Sequence, residues 1–552
     1  MDEPQRLPQS LIVENRTRGR VGLLLAAALF LLLFLPWLSA ERELFRQEGF
    51  FAAIAAECVE SNRSITDGIT ATAHHSVMDD AFPLYPLVVS LFYRMGMEMP
   101  TALRLVSVMM LGLLSLLAAL AAGSRCGIRA GMVAGCCCFG TLFAFEKGPV
   151  GGPETLAACF LFSAQLLFFH YGSRLADWNS AWIAAAILLS FGFLSAGPVV
   201  ILFFALPLVF LRRPLSSSSK FRTPGFVAGA LLIGVVILSW ALPLEFALRR
   251  YAAESGFQAV AWSSYLKDLL TFPLLLPVRM FPWTLVMWMP FCVALQANSP
   301  HPVYSLYLRT LTFSMLALAW LLPKATAAQL FFVVGPLAVL AGIYYDLGIR
   351  RYGRSLRRFI ALAALIFPLA AAYILALRWM PVKMLAWFGS PEKMKFRDQP
   401  GYLMLALAAV CLLLLLGTLF CIGIRRYPVW VNLVLIGMGI GVIGATAILP
   451  YQKQEKRWRD FGQTISDRMP PEATCVYKYE VQGLYNGLFY SGKPVYKLRE
   501  DDTLPERSAI YVISPRYPQL PGRSWRQIHT WDRMSISLWE GLPAADMQEE
   551  VR

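Results

Sequence analysis

Charge is scarce in this chain. Of its 552 residues, 15% are Asp, Glu, Lys or Arg, against about 25% in a soluble protein, and that deficit excludes an ordinary string of soluble domains. Apolar residues make up 57%, and the mean hydropathy is +0.53. The apolar runs lack the alternation of membrane strands, which excludes a membrane β-barrel. No Cys-x-x-Cys pair occurs among the 10 cysteines, so neither a zinc site nor a disulfide framework is supported. Cys136, Cys137, Cys138, Cys159, Cys411 and Cys421 lie inside apolar runs, where cysteine packs as a small hydrophobe. No internal repeat and no low-complexity tract stands out. The first apolar run lacks a small-residue cleavage site behind it, so it is expected to be kept as a helix and not removed as a signal peptide.

What the chain does have is a succession of apolar runs from residue 21 to residue 449, each long enough for the ~30 Å hydrocarbon core of a bilayer. They predict a polytopic α-helical membrane protein with about thirteen transmembrane helices. The expected spans are 21–39, 101–122, 130–146, 153–172, 180–194, 197–211, 224–245, 281–297, 304–322, 327–346, 359–377, 402–424 and 428–449. The net charge of +15 does not signal nucleic acid, because most basic residues sit in short clusters between the runs, where they set orientation. Arg16, Arg18 and Arg20 precede the first run and put residues 1–20 in the cytoplasm. Arg125 with Arg129, Arg174, the group Arg212, Arg213, Lys220 and Arg222, the cluster from Arg350 to Arg358, and Arg425 with Arg426 fall on the same inner side.

An odd number of spans places the long loops 40–100, 246–280 and 378–401 on the outer face of a bacterial-type cytoplasmic (inner) membrane. Within the first loop, 83–95 is too short to span and is expected to lie in the interface, with Tyr85 and Tyr93 at headgroup level. After the transmembrane region 21–449 the composition turns polar, and 450–552 reads as a small α/β soluble domain on the outer side. A helical stretch at 454–468 precedes short β-prone runs at 474–479, 488–497, 509–513 and 534–539.

Outer-face ionisable residues are the candidates for chemistry, because such groups near a membrane usually mark function. Glu48 lies early in the first loop, Asp80 just before the interfacial helix, and Glu154 at the mouth of the fourth span, after Gly151, Gly152 and Pro153. Converging on one cavity, these carboxylates would suit general-base catalysis or a divalent metal held by Glu48 and Glu154. The plainer alternative for each is a solvated loop charge. His74 and His75 suit a metal, but also an inert polar loop. Lys324 is placed either to meet a phosphate or to snorkel at a helix end. Arg279, before Phe281-Pro282-Trp283, suits anion binding or interface anchoring.

The order of these features resembles that of the membrane-embedded C superfamily of glycosyltransferases, specifically family 39 (aminoarabinose transferases and protein O-mannosyltransferases), over nearly the whole chain. The family's first-loop pattern, Asp-Glu-x-Arg-Tyr-Ala-Glu-Ile-Ala-x-Glu, meets Gln47-Glu48-Gly49-Phe50-Phe51-Ala52-Ala53-Ile54-Ala55-Ala56-Glu57 here. Gln47 thus stands where the family has its catalytic Asp. Phe-Glu-Lys-Pro-Pro-Leu-Tyr meets Asp79-Asp80-Ala81-Phe82-Pro83-Leu84-Tyr85, which keeps an acid and loses the lysine. Glu154 falls where the family has a second-loop Asp, Ala196 where a lysine often precedes Gly-Pro, and Lys324 on the lysine of a late outer loop.

The resemblance implies an inverting transferase. It would move a monosaccharide from a polyprenyl-phosphate donor to a lipid, glycan or protein acceptor at the outer face. Glu48 would be the shifted base, Asp80 and Glu154 would orient it or share a divalent metal ion, and Lys324, Arg279 and Tyr85 would meet the donor phosphate. Two alternatives are a catalytically silent relative that only binds lipid-linked sugar, which Gln47 and Ala81 favour, and a lipid-sugar transporter. The near absence of charge within the spans speaks against the transporter.

Overall fold

The computed structural model describes residues 26–60, 82–211, 220–250, 262–322, 329–366, 412–420, 429–444, 449–454, 456–481, 483–498, 509–520, 523–531 and 534–543, with a few isolated positions besides. The chain divides into two compact units. The first comprises Met1–Ser39, Arg104–Gly234 and Ala259–Gln452; the second comprises Ala40–Leu103, Val235–Gln258 and Lys453–Arg552.

The first unit is helical. Among the described residues, five helices are long and apolar enough to cross a membrane: Met99–Cys126, Glu154–Arg174, Trp178–Ala196, Pro224–Pro243 and Leu330–Ala363. Their ends follow from local sequence. The Asp177 carboxylate accepts the Ser180 N–H at 3.1 Å and so caps the helix Trp178–Ala196. Gly197 then takes a φ of +79°, which glycine adopts without steric cost, and Pro198 opens the next helix with its φ already set. Leu330–Ala363 lies at the centre, buried almost without interruption from Leu330 to Tyr345. Small residues let its neighbours approach: Gly342 lies against the Ala130 backbone and Gly335 against the Phe162 ring. Dispersion between closely packed backbones and side chains holds such helices together where lipid gives no hydrophobic drive.

Several sequence boundaries need correction. The loop expected at 246–280 is largely helix, since Pro224–Arg250 runs on and Trp262–Arg279 forms another. Pro273 and Pro277 sit inside the latter; proline commonly ends a helix, which is why the sequence pattern concealed it. The span expected at 281–297 is broken into Thr284–Trp288, a 3-10 turn Met289–Phe291 and Val293–Gln296. Tyr265–Arg279 and Thr284–Phe291 meet at a bend of 116°. The separate spans expected at 327–346 and 359–377 are joined, because Leu330–Ala363 continues through the arginine cluster with its one non-helical residue at Tyr352. Arginine is a strong helix former, so a cluster of it need not be a loop. The loop 378–401 and most of the span 402–424 lie outside the described residues.

In the second unit the helices Glu48–Glu60 and Leu84–Arg94 form within the first loop, where a helical stretch and a short interfacial helix were expected. The C-terminal segment forms helix Arg457–Arg468 and five strands: β1 (Val476–Lys478), β2 (Val495–Lys497), β3 (Ile510–Ser514), β4 (Arg523–Trp531) and β5 (Ile536–Pro543). Their spatial order is β2-β1-β3-β5-β4. β1 pairs in parallel with β2 and β3, while β5 pairs antiparallel with β3 and β4. β3 is buried along its whole length, as expected of a central strand. One face packs Phe461, Ile465 and Met469 against Val476, Val495 and Ile513, and the other gathers Val512, Leu520 and Trp525. Residues 488–497, expected as a strand throughout, begin instead with the end of a short helix, Tyr485–Phe489.

Candidate active site

Residues 40–49 are fastened by the C-terminal domain. Glu43 is the clearest case. Its Oε2 accepts the Trp458 N–H at 3.1 Å and its Oε1 the Arg459 N–H at 2.8 Å. These donors lie in the first turn of helix Arg457–Arg468, whose own N-cap residue, Lys456, offers no side-chain bond. Backbone donors there have no partner inside the helix, and the positive end of the helix dipole favours a carboxylate. Arg459 donates in turn to Ala40 O at 2.6 Å, the Leu44 N–H donates to Tyr490 Oη at 2.9 Å, and Asn486 bonds both Arg46 O and the Gly49 N–H. Gly49 lies directly on the Asn486 backbone, so a Cβ there would collide. Burial pushes the Tyr490 phenol up, while the Leu44 N–H and Arg459 draw it the other way.

Glu48 sits inside this frame with no exposed surface. The Arg42 guanidinium donates to its Oε1 at 3.0 Å and the Phe45 N–H to its Oε2 at 2.9 Å. The second bond closes the turn that starts helix Glu48–Glu60, as a capping box does. Glu48 therefore braces residues 42–48, whereas the sequence reading made it a base in a shared cavity. Its neighbour Gln47 is exposed. Among the described residues no group of three His, Cys, Asp or Glu is placed to hold a metal ion.

Tyr85 also needs correction. It is fully buried, donates its hydroxyl to Leu103 O at 2.9 Å and packs edge-on against Phe51 at 5.3 Å. It shares the buried face of its helix with Pro86 and Val89, whereas Tyr93, two turns on, is exposed. The Tyr85 hydroxyl is thus committed within its own unit and is withdrawn from the phosphate-binding set.

Glu154 belongs to the first unit. It opens the helix Glu154–Phe169 after Gly151-Gly152-Pro153 and is half-buried. Its Oε2 lies 2.5 Å from where a Cβ on Gly152 would stand, so the carboxylate folds back over that glycine. Lys147, paired with Glu146 at 3.3 Å, supplies a cation whose field reaches Glu154. The Arg104 guanidinium, wholly buried, donates to Ser39 O at 2.8 Å. Arg279 is the half-buried last residue of its helix and makes no hydrogen bond or ion pair among the described residues. Asp80, Lys324, His74 and His75 lie outside the described residues.

Sequence reasoning gave Arg42 and Glu43 no role of their own and did not single out Arg104, Lys147 or Asn486. For Arg104 and Lys147 a signal existed, a charge beside an otherwise apolar run. For Asn486 there was none, because its partners lie 437 and 440 residues away.

Residues 79–242 match the family model for dolichyl-phosphate-mannose-protein mannosyltransferases. Among solved structures, the fold is similar to ArnT from Cupriavidus metallidurans in the apo state, with a TM-score of 0.67 at 16% identity over 94% of this chain and 97% of that one. The same protein bound to undecaprenyl phosphate gives 0.63 at 16% identity, over 95% and 98%. No curated protein sequence matches. The matched segment thus carries the pattern of that family model, and the chain as a whole shares the fold of ArnT.

Proposed function

We propose that this protein transfers a monosaccharide from a polyprenyl-phosphate donor to a lipid, glycan or protein acceptor at the outer face of the cytoplasmic membrane. The observation that carries the proposal is the fold, shared over 95% of the chain with a protein whose structure holds undecaprenyl phosphate. In this proposal the N-terminus is cytoplasmic and residues 450–552 lie outside, in keeping with the basic clusters.

The acceptor hydroxyl oxygen bonds to the anomeric carbon from the face opposite the donor phosphate. The carbon–oxygen bond to the phosphate breaks, the lipid phosphate leaves with the electron pair, and the configuration inverts. A carboxylate takes the hydroxyl proton. We assign that role to Glu154, which is partly accessible and opens a helix. Glu48 becomes the brace of the first loop. Lys324 and Arg279 meet the departing phosphate, where a charge-assisted contact is worth about 1.5–3 kcal/mol.

A second reading, a relative that binds lipid-linked sugar without transferring it, draws on Gln47 standing where the family has an Asp and on the full engagement of Glu48. One experiment separates the two. Purified protein is incubated with polyprenyl-phosphate sugars and a membrane-lipid acceptor extract; transfer is followed chromatographically, and retention of undecaprenyl phosphate by native mass spectrometry. Transfer that disappears in Glu154→Gln supports the enzyme. Retention without transfer from any donor supports the silent binder, and failure to retain the lipid phosphate overturns both.

A further inference from the structure

We propose that Ser107 is the residue that positions Glu154, an inference that rests on the transfer reading above. Ser107 lies in the helix Met99–Cys126 within an apolar stretch and is wholly buried. Its hydroxyl donates to Gly152 O at 3.2 Å and accepts the Gly152 N–H at 3.1 Å. One side chain thereby satisfies both backbone groups of a single loop residue. Gly152 is itself buried, and burying such groups unpaired is costly, so this contact fixes where the loop can sit.

The fixed point lies two residues before the carboxylate. Pro153 holds one of the intervening torsions, and the carboxylate folds over the space where Gly152 lacks a side chain. Ser107 therefore sets Gly152, and Gly152 sets the Glu154 oxygens. The flanks dock on the same helix: Gly148 lies against the Leu111 side chain and Cys159 Sγ donates to Met110 O at 2.9 Å. These contacts hold the segment, but Ser107 is the one that reaches the glycine beneath the carboxylate.

The test is transfer kinetics on the full-length protein in detergent, with thermal stability measured alongside. Misplacing a reacting group by ~1 Å costs on the order of 10²-fold in rate, so Ser107→Ala is expected to lower kcat about ten- to a hundredfold with donor KM unchanged. Ser107→Thr, which keeps the hydroxyl, should recover most of the loss. Gly152→Ala leaves Ser107 in place, displaces the carboxylate and should reproduce the kcat defect; it carries the test if Ser107→Ala does not fold. In a Glu154→Asp background, Ser107→Ala should cost much less than in wild type, because both changes act on one carboxylate. Wild-type kcat in folded Ser107→Ala or in Gly152→Ala, with Glu154→Gln inactive, overturns the positioning role and leaves the proposed function standing. An equal loss in Ser107→Thr and Ser107→Ala also overturns it. A fully active Glu154→Gln removes the base assignment itself, and this inference falls with it.

Discussion

Two acidic segments are held in contrasting ways. Residues 40–49 are gripped by charges and side-chain hydrogen bonds from the C-terminal domain, and Glu48 within them is sealed. Residues 148–154 rest on one helix through close glycine packing and the hydroxyl of Ser107, and Glu154 keeps some exposure. A carboxylate enclosed by an arginine and a backbone donor is stabilised as an anion and is closed off from solvent. One presented by a glycine loop is less firmly held and more available. Retention of an acid in a family motif therefore does not by itself identify the base.

Substitutions can break this comparison. The largest expected effect on activity is at Glu154: Glu154→Gln should reduce transfer by ~10²–10⁴-fold while undecaprenyl phosphate is still retained. Equal inactivation by Glu48→Gln, in protein of unaltered melting temperature, would mean that Glu48 acts chemically as well.

On the braced side, Arg42→Ala leaves Glu48 buried without its cation, a change that typically costs about 3–5 kcal/mol. Lower yield and an earlier thermal transition are expected, and Arg42→Met combined with Glu48→Gln should recover part of the loss. A stable Arg42→Ala protein would show that the brace is not needed.

Glu43→Ala removes the cap of helix Arg457–Arg468 and should cost about 0.5–2 kcal/mol, the range for lost N-caps. Chemical denaturation followed by the fluorescence of Trp458 and Trp531 would register it.

The smallest effect is at Glu41 and Lys453, paired at 3.0 Å on the surface. The Lys453 hydrogen bond, followed by its charge, holds the Glu41 carboxyl below its ordinary range. Its contribution is present above the unfolded carboxylate range and is lost as the pH falls through the depressed folded value. Exposed pairs contribute little, so Glu41→Gln should leave the melting temperature near neutral pH unchanged. A marked drop would extend the brace to the surface.

The sequence made the helical membrane class, the short helix Leu84–Arg94 and the mixed C-terminal domain legible, because long apolar runs and a polar tail are local signals. It missed β4, where Arg523-Ser524-Trp525-Arg526-Gln527 offers few apolar residues; an edge strand needs only one side of its backbone paired, and its side chains are partly exposed. It also missed Trp262–Arg279, whose two prolines resemble breaks. Glu154 stood out in the sequence because it follows Gly151-Gly152-Pro153, and it does open a helix. The sealing of Glu48 was not legible, because Arg42, six residues away, became its partner through a turn with Arg46 at a φ of +56°, and the Asn486 that secures this turn is remote in sequence.

The sheet of the C-terminal domain ends at each side in a strand poorly suited to recruiting another. β2 has three residues. β4 slips register between Gln527 and His529 and carries Arg523 and Arg526. Short, bulged or charged borders deny a passing chain the flat ladder from which intermolecular sheets grow. Many copies crowded on one membrane can thus jostle without their C-terminal domains zipping into aggregates.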